Sequence, residues 1–356
     1  MVPPADSEAP QIRTWRVAEA EQGRTLAACL RTWLGGASWG EVRRLVARRH
    51  LLVNGNLCTD AARRLRAGDV IKLLPHPTAP LPTASDIRIR YLDDHVVVVE
   101  KPAGMTSVRH AEERHWPAHR KRQNPTLQEL LPRAIVRSAL ARGAGLAGRG
   151  GSRGEARRGA GAQRAGRRPV HVYAVHRLDR DTSGLLVFAR TAAAQHGLVE
   201  QFRRHTATRR YLAVVQGRVR SQTISTRLVR DRGDGRRGST AHPTQGKLAV
   251  THVRPLEYLG PYTLVECRLE TGRTHQIRIH LAEAGHPVCG EKIYHKPLHG
   301  PPQPDLSHAP RLALHAAELA FVHPISGKPL VFEAPLPDEL RQFVDRLRRS
   351  AANTHG

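Results

Sequence analysis

The sequence HRLDRDTSGLLVFA, residues 176–189, joins a turn of charged residues to an uninterrupted apolar run. The run from Leu185 to Ala189 is short and follows a glycine, a pattern that is typical of a buried β-strand. In the turn, Leu178 directly precedes Asp179, so we expect Leu178 to point into the core and to fix the direction of the Asp179 carboxylate. Neighbouring arginines keep such an aspartate ionised, and an ionised carboxylate in a cleft can act as a nucleophile, a base or a metal ligand.

The remaining polar residues of this turn have a simpler interpretation. A string of aspartate, threonine, serine and glycine commonly caps a turn with its own side chains. We prefer that structural interpretation for Asp181, Thr182 and Ser183. Asp179 is therefore the candidate for chemistry in this segment.

Strand-length apolar runs recur along residues 86–347, and helices are few and separated. We predict strands at Val96–Val99, Tyr211–Val215, 249–254 and 263–269, with helices over 191–204 and from near Thr274. This spacing favours an α+β fold, a mixed and mainly antiparallel sheet with flanking helices.

The second informative segment is TGRTHQIRIHL, residues 271–281. Gly272 permits a tight turn, and Thr274 is predicted to be the N-cap of the helix that follows. His275 and His280 are five residues apart, which is not the spacing that places two zinc ligands together, so we predict no metal site. The sequence also lacks the glycine-rich and nucleophile-elbow motifs of dehydrogenases, P-loop NTPases and serine hydrolases.

Residues 13–75 form a separate pattern of two amphipathic helices and two short strands. Arginines cluster on the second helix and just after it, and Glu41 is almost the only acidic residue nearby. We therefore predict a small α+β module whose basic face contacts phosphates. The arginines are Arg43, Arg44, Arg48 and Arg49.

Two segments have the composition of connections. Residues 76–85 follow Pro75 and include three further prolines, which predicts a stiff linker. Residues 133–169 are rich in arginine, glycine and alanine, and we predict a disordered basic insertion there because such a composition buries little apolar surface. This insertion is equally well interpreted as a non-specific RNA tether or as a solvated loop.

Charge indicates the kind of partner. The chain has 57 lysines and arginines against 31 acidic residues, a net charge of +26, which favours a polyanion such as nucleic acid. The four cysteines are far apart, which argues against disulfides and for a reducing compartment. We find no apolar leader, and Val96–Val99 is too short to cross a bilayer, so we expect a cytoplasmic protein without a membrane partner.

Two resemblances combine these observations. Residues 13–75, with LLVNG and LRAGDVIKL, resemble an S4 domain, a small RNA-binding module. HRLDRDTSGLLVFART, with KPAGM before it and GRTHQIRIHLAEAGHPVCGEKIY and RLALHAAELAFVHPISGKPLVFEAPLP after it, is similar to the RluA-type pseudouridine synthase family. The resemblance implies an S4 domain at 13–75, a linker at 76–85 and a catalytic domain at 86–347 that contains the insertion at 133–169.

The family resemblance implies isomerisation of uridine to pseudouridine in RNA, without a cofactor or a metal. The essential aspartate falls on Asp179, the arginine that holds it on Arg278, and the tyrosine that packs on the uracil and serves its C5 proton on Tyr211. By the same resemblance, Arg177 fills the gap left by the flipped base. Arg273 and His275 are expected to contact RNA.

An S4 domain ahead of such a catalytic domain resembles the subgroup that modifies large-subunit ribosomal RNA. We therefore expect 23S-type ribosomal RNA or ribosome-assembly particles as the partner, with no obligatory protein partner. Two alternatives stay open, namely the same chemistry on transfer RNA and a vestigial ribosome-assembly protein that only binds RNA. DNA binding is not favoured because no recognition-helix pattern is present.

The sequence departs from the family pattern at three places, one of which is the insertion at 133–169, longer and more basic than the family pattern leads us to expect. Glu291 occupies a position where the family usually has aspartate, and KPAGM is followed by TSVRH, residues 106–110, rather than by the usual valine, histidine and proline. These departures concern the placement of substrate more than the reaction.

Overall fold

The structure is a computed structural model that describes residues 12–54, 56–75, 82–147, 170–233, 235–295, 301 and 303–353. The chain divides into two compact units, Met1–Pro80 and Leu81–Gly356. Of the linker predicted at 76–85, residues 76–81 lie outside the described part, and Ala84–Asp86 form a 3-10 turn. The predicted boundaries of the three segments stay predictions.

The first unit packs two helices against a small antiparallel sheet of order β1-β4-β2-β3. Ser38 and Glu41 form a capping box that starts α2, since each side chain accepts a hydrogen bond from the backbone N–H of the other. Leu30 and Val46 are fully buried between the helices and the sheet. The elements are β1 (Arg13–Arg16), α1 (Leu26–Trp33), α2 (Trp39–Ala47), β2 (Leu51–Val53), β3 (Asn56–Leu57) and β4 (Val70–Leu73).

The second unit contains the other strands and helices, which confirms the α+β prediction. Its strands are β5 (Arg88–Leu92), β6 (Val96–Lys101), β7 (Tyr173–Ala174), β8 (Ser183–Ala189), β9 (Thr208–Gln216), β10 (Gln222–Val229), β11 (Gly238–Thr240), β12 (Lys247–Leu259), β13 (Tyr262–Leu269), β14 (Leu314–Val322) and β15 (Pro329–Glu333). Its helices are α3 (Ala118–Gln123), α4 (Leu127–Ala147), α5 (Ala192–Arg203), α6 (Gln276–Glu283) and α7 (Asp338–Asn353).

Among the described residues, these strands form one mixed sheet of order β11-β10-β12-β13-β9-β14-β8-β6-β5, with β15 beside β14 and β7 beside β8. All pairs are antiparallel except β8 with β14. The parallel pair is unusually close, because a Cβ at Gly184 would lie 2.2 Å from the carbonyl oxygen of Ala316. Only glycine fits there, and its φ of 117° is also one that other residues rarely adopt.

The central strands are buried on both faces. Val97 and Val99 pack into the core that also contains residues of α4, α6 and α7, whereas Val96 and Val98 pack into the core beneath α5. Alternation along β6 thus supplies both cores. The structure gives β8 the same role, because all seven of its residues are buried.

The insertion predicted to be disordered from residue 133 is corrected in its first part. Helix α4 runs without a break to Ala147, well past residue 133. Leu127, Leu131, Ala134 and Ile135 are buried at helical spacing, and this apolar face outweighs the arginine- and glycine-rich composition that follows it. Residues 148–169 lie outside the described part of the chain.

Candidate active site

The second unit contains a cleft of about 460 Å³, which is lined in part by the turn that leads into β8. Asp179, Tyr211 and Arg278 all line it, although they come from three distant parts of the sequence. Three more of the residues singled out from the sequence line it as well, namely Arg177, Arg273 and His275.

The Asp179 turn is held firmly on both sides. Leu178 is buried in the core as expected, and the Ser107 hydroxyl donates to the Leu178 carbonyl oxygen at 2.7 Å. The buried amino group of Lys101 donates to the carbonyl oxygens of Met105 and Arg180 at 2.8 and 3.0 Å. The backbone on each side of Asp179 is therefore fixed, and this fixes the position from which its side chain extends.

Arg278 links Asp179 to a second, deeper carboxylate. Its Nη1 is 3.4 Å from Asp179 Oδ2, and its Nε and Nη2 each donate to Glu291 at 2.7 Å. The Glu291 side chain is only 1% exposed, whereas that of Asp179 is 15% exposed. Arg278 is thus held by a bidentate ion pair with the more deeply buried Glu291, and its remaining nitrogen faces the Asp179 carboxylate at the cleft.

The electrostatics of this pair favour ionised groups. Burial on its own would lower the pKa of Arg278, but the hydrogen bonds and the negative charge of Glu291, followed by the charge of Asp179, raise it above its ordinary value. Burial would likewise raise the pKa of Glu291, and Arg278 more than offsets that effect, so the pKa of Glu291 is lowered. The guanidinium stays charged beside Asp179 throughout the working range.

His275 lies on the other side of the Asp179 carboxylate. Its Nε2 is 3.8 Å from Asp179 Oδ1, and its Nδ1 is 2.7 Å from the hydroxyl of Tyr294. Burial lowers the pKa of His275 and raises the pKa of Tyr294 to about 12, so both groups are neutral near pH 7. A neutral phenol can donate to Nδ1, and the proton of His275 then resides on Nε2, directed toward Asp179.

The start of α6 differs from the prediction that Thr274 caps it. His275 occupies the N-cap position in a left-handed conformation, with φ of 60°, and its side chain caps nothing. Gln276 organises the turn instead, because its side-chain oxygen accepts from the Thr271 hydroxyl and from the Arg273 N–H at 2.7 and 3.0 Å. This turn directs His275 toward the cleft rather than along the helix.

Tyr211 comes from the middle of β9 and is 7% exposed. Burial raises its pKa to about 12, so its phenol is also neutral at ordinary pH. Arg209 lies two residues earlier on the same face and lines the cleft too, whereas Arg210 points to the opposite face and donates to Glu318. The structure therefore adds Arg209 to the cleft and leaves Arg210 outside it.

The remaining predicted RNA-binding residues are less constrained. Arg177 is exposed at the rim of the cleft, 3.3 Å from His110 Nε2. Arg43, Arg44 and Arg48 are exposed on or just after α2 in the first unit, and Arg49 there is half-buried.

The described residues contain no group of three or more histidine, cysteine or acidic side chains that could hold a metal ion. Within that same part of the chain, no helix is both long and apolar enough to cross a membrane.

Comparison with known proteins adds direct evidence. The family model for RNA pseudouridylate synthase matches residues 95–283, and the model for the S4 domain matches residues 31–71. A ribosomal large subunit pseudouridine synthase D of Zymomonas mobilis is 37% identical over 305 residues, which cover 84% of this chain and 86% of the relative.

The chain belongs to the RNA pseudouridine synthase family. It is an isomerase with an N-terminal S4 domain, and RNA is its partner, so the resemblance drawn from the sequence is confirmed. An uncharacterised RNA pseudouridine synthase of Bacillus subtilis is 36% identical over 87% of this chain and 89% of its own length. The solved structure of human RNA pseudouridylate synthase domain containing 4 has the same fold, with a TM-score of 0.53 and 20% identity over 74% of this chain and 95% of that one.

Three residues that support the active site of this pseudouridine synthase were not predicted as site residues. Glu291 was noted only as a departure, although a carboxylate beside a buried arginine is the partner that such an arginine requires. Arg209 could have been found from the period-two alternation with Tyr211. Tyr294 ends the GEKIY string of the family resemblance, but its contact with His275 was not predictable because it depends on how the loop after α6 folds back.

Proposed function

We propose that this pseudouridine synthase isomerises specific uridines in large-subunit ribosomal RNA, with Asp179 as the nucleophile and without a cofactor. The observation that carries the proposal is the Asp179 carboxylate at the cleft, with the Arg278 guanidinium 3.4 Å away. The substrate class is supported by relatives named ribosomal large subunit pseudouridine synthase D, which match over most of the chain.

In the proposed reaction, the target nucleotide leaves its stack and enters the cleft. Asp179 attacks the ribose C1′ or the uracil ring, and the bond between C1′ and N1 breaks. The uracil turns, C5 forms the new bond to C1′, and the bond between Asp179 and the nucleotide breaks, which releases the carboxylate. The C5 hydrogen leaves as a proton and N1 takes up a proton, so the reaction is an isomerisation with no oxidant, reductant or other reactant.

The groups around Asp179 have distinct proposed tasks. Arg278 orients the carboxylate before attack, and His275 directs an N–H toward its other oxygen. The proposed role of Tyr211, which lines the cleft, is to pack on the uracil face and to serve the removal of the C5 proton through its hydroxyl. Since burial raises the pKa of Tyr211 to about 12, its phenol is protonated in the resting enzyme and acts first as a packing surface and a hydrogen-bond donor.

The deciding experiment measures tritium release from RNA that is labelled at uracil C5, because formation of the new carbon–carbon bond expels that hydrogen. Purified protein and Asp179→Asn are incubated separately with ribosomal and with transfer RNA fractions, and RNA binding is measured in parallel. We expect release from ribosomal RNA by the wild type alone, with binding retained in the variant.

The other outcomes have defined meanings. Release from transfer RNA alone would keep the enzyme and overturn the ribosomal substrate. Retained release by Asp179→Asn would remove Asp179 as the nucleophile. Binding without release, from mature RNA and from assembly particles alike, would favour the vestigial RNA-binding protein. The cytoplasmic location stays a prediction that fractionation of cells can test.

A further inference from the structure

A second cavity of about 510 Å³ lies beside the active-site cleft in the same unit. The two cavities share the turn Gly272–Thr274, which lines both of them. Strands β10 and β12 also line the second cavity through Leu228 and Lys247, together with Arg230, which directly follows β10. The turn Gly272–Thr274 is therefore a ridge that separates the active-site cleft from the second cavity.

The second cavity is strongly basic. Arg230, Arg237, Lys247 and Arg273 line it, and none of its lining residues is acidic. Elsewhere in the described chain many surface arginines have carboxylate partners, for example Arg348 with Glu257. Among the described residues, none of these four cavity cations forms an ion pair with a carboxylate.

Apolar side chains complete the cavity, since Leu228, Val229 and Ile279 also line it. Cations that surround an apolar floor match a nucleotide, whose phosphate needs positive charge and whose ribose and base need nonpolar contact. Burial lowers the pKa of His275 and raises that of Tyr294, and the positive charge of Arg237 makes a smaller, lowering contribution to each, so Arg237 lies close enough to act on both groups.

We infer that this cavity binds the phosphodiester of a nucleotide directly adjacent to the target uridine in a single-stranded RNA segment. The strand crosses the ridge at Gly272–Thr274, with the target base on the Asp179 side and the neighbouring phosphate among Arg230, Arg237, Lys247 and Arg273. The inference rests on the proposed function, because it assumes that the cleft receives a uridine of RNA.

The first test compares two variants that each remove two positive charges. Arg230→Gln/Lys247→Gln changes exposed cavity cations outside the cleft, and Arg220→Gln/Lys328→Gln changes exposed cations that line neither cavity. Binding of a fluorescently labelled oligouridylate is measured by anisotropy over a range of salt concentrations, after circular dichroism and thermal unfolding show that both variants are folded.

For the cavity variant we expect about tenfold weaker binding and a slope of log affinity against log salt that is smaller by about 0.7 for each lost phosphate contact. The matched variant should remain within about twofold of the wild type under the same conditions. Equal losses in the two variants would show a diffuse charge effect and would overturn the inference.

The second test locates the phosphate. In a short RNA substrate with a mapped target uridine, single uncharged methylphosphonate linkages replace the phosphates on either side of the target in turn. At one of these positions we expect the neutral linkage to raise the wild-type KM and to have little further effect in Arg230→Gln/Lys247→Gln. Additive losses at every position would contradict the adjacent-phosphate assignment.

The two proposals fail in different ways. If the wild type isomerises no uridine in any RNA, the proposed function fails, yet the oligouridylate measurement still decides whether the cavity binds RNA phosphate. If the enzyme is active and the cavity variant binds and turns over RNA like the matched variant, only the inference about the cavity fails.

Discussion

At the scale of single residues, the position of the Arg278 guanidinium depends on Glu291. Arg278 donates two hydrogen bonds of 2.7 Å to Glu291, against one contact of 3.4 Å to Asp179. Replacing Glu291 with glutamine leaves the cation buried with a neutral partner, which is costly because the desolvated charge loses its counter-charge.

For Glu291→Gln we therefore predict a loss of unfolding free energy of about 2–4 kcal/mol. We also predict a fall in kcat of about tenfold to a hundredfold, because Arg278 no longer holds the Asp179 carboxylate in its reactive orientation. Urea denaturation and single-turnover isomerisation measure the two effects. Glu257→Gln is the matched control, since it breaks the partly exposed pair with Arg348 and should cost less than about 1 kcal/mol with unchanged kcat.

Tyr294 provides a second residue-scale prediction. Tyr294→Phe keeps the ring but removes the hydroxyl that lies 2.7 Å from His275 Nδ1, so the histidine tautomer is no longer fixed. We expect kcat to fall by about threefold to tenfold with little change in KM, as for the loss of one neutral hydrogen bond. Tyr258→Phe, whose hydroxyl donates to Val219 outside the cleft, should leave kcat unchanged. An equal fall in both variants would remove the positioning role of Tyr294.

At the scale of elements, helix α4 shows that packing can outweigh composition. Its arginine- and glycine-rich part continues a helix whose apolar face is buried. Ile135 is 4% exposed and Leu140 is 55% exposed on the same helix. We predict that Ile135→Ala lowers the unfolding free energy by about 2–4 kcal/mol and that Leu140→Ala changes it by less than about 0.5 kcal/mol. Thermal unfolding of the two variants checks this. Similar small changes in both would mean that residues 133–147 are not packed as a helix.

The helix and strand patterns were predictable where local chemistry decides them. The apolar run at Leu185–Ala189 gave β8, and the leucines and valines of residues 26–46 gave α1 and α2. The mixed, mainly antiparallel sheet was also predictable from the short spacing of strands. The parallel pairing of β8 with β14 was not, since residues so far apart in the chain leave no local pattern of their pairing.

For the site, the sequence identified Asp179, Tyr211 and Arg278, and the structure brings all three to one cleft. The start of α6 was predicted wrongly, because the side chain of Gln276 sets that turn through contacts with Thr271 and with β12. Such contacts depend on tertiary structure, and no propensity of Thr274 or His275 encodes them.

At the scale of the whole molecule, two buried histidines, His280 and His315, and the half-buried His176 make stability depend on pH. Burial lowers the pKa of His176 to about 3 and those of His280 and His315 to about 4, below the ordinary value of 6.5. The unfolded chain therefore binds more protons than the folded chain between pH 6.5 and about 4, so folding stability is lost as the pH falls through that window.

We expect the three histidines together to contribute a slope of up to about 4 kcal/mol per pH unit in the steepest part of this window. Chemical denaturation at closely spaced pH values measures the slope. His280→Gln should reduce it by about a third, whereas His196→Gln, which changes an exposed residue of α5, should leave it unchanged. A slope that is insensitive to His280→Gln would show that this histidine is not buried in its neutral form.

The place of β14 in the sheet has a consequence for synthesis of the protein. Strand β14 lies between β8 and β9, the strands that begin and continue the active-site wall, and it follows both of them in the chain by about a hundred residues. While a ribosome is still translating the chain, the facing edges of β8 and β9 have no partner until residues 314–322 have emerged. The nascent chain thus acquires a closed catalytic wall only after residues 314–322 have been synthesised and have left the ribosome.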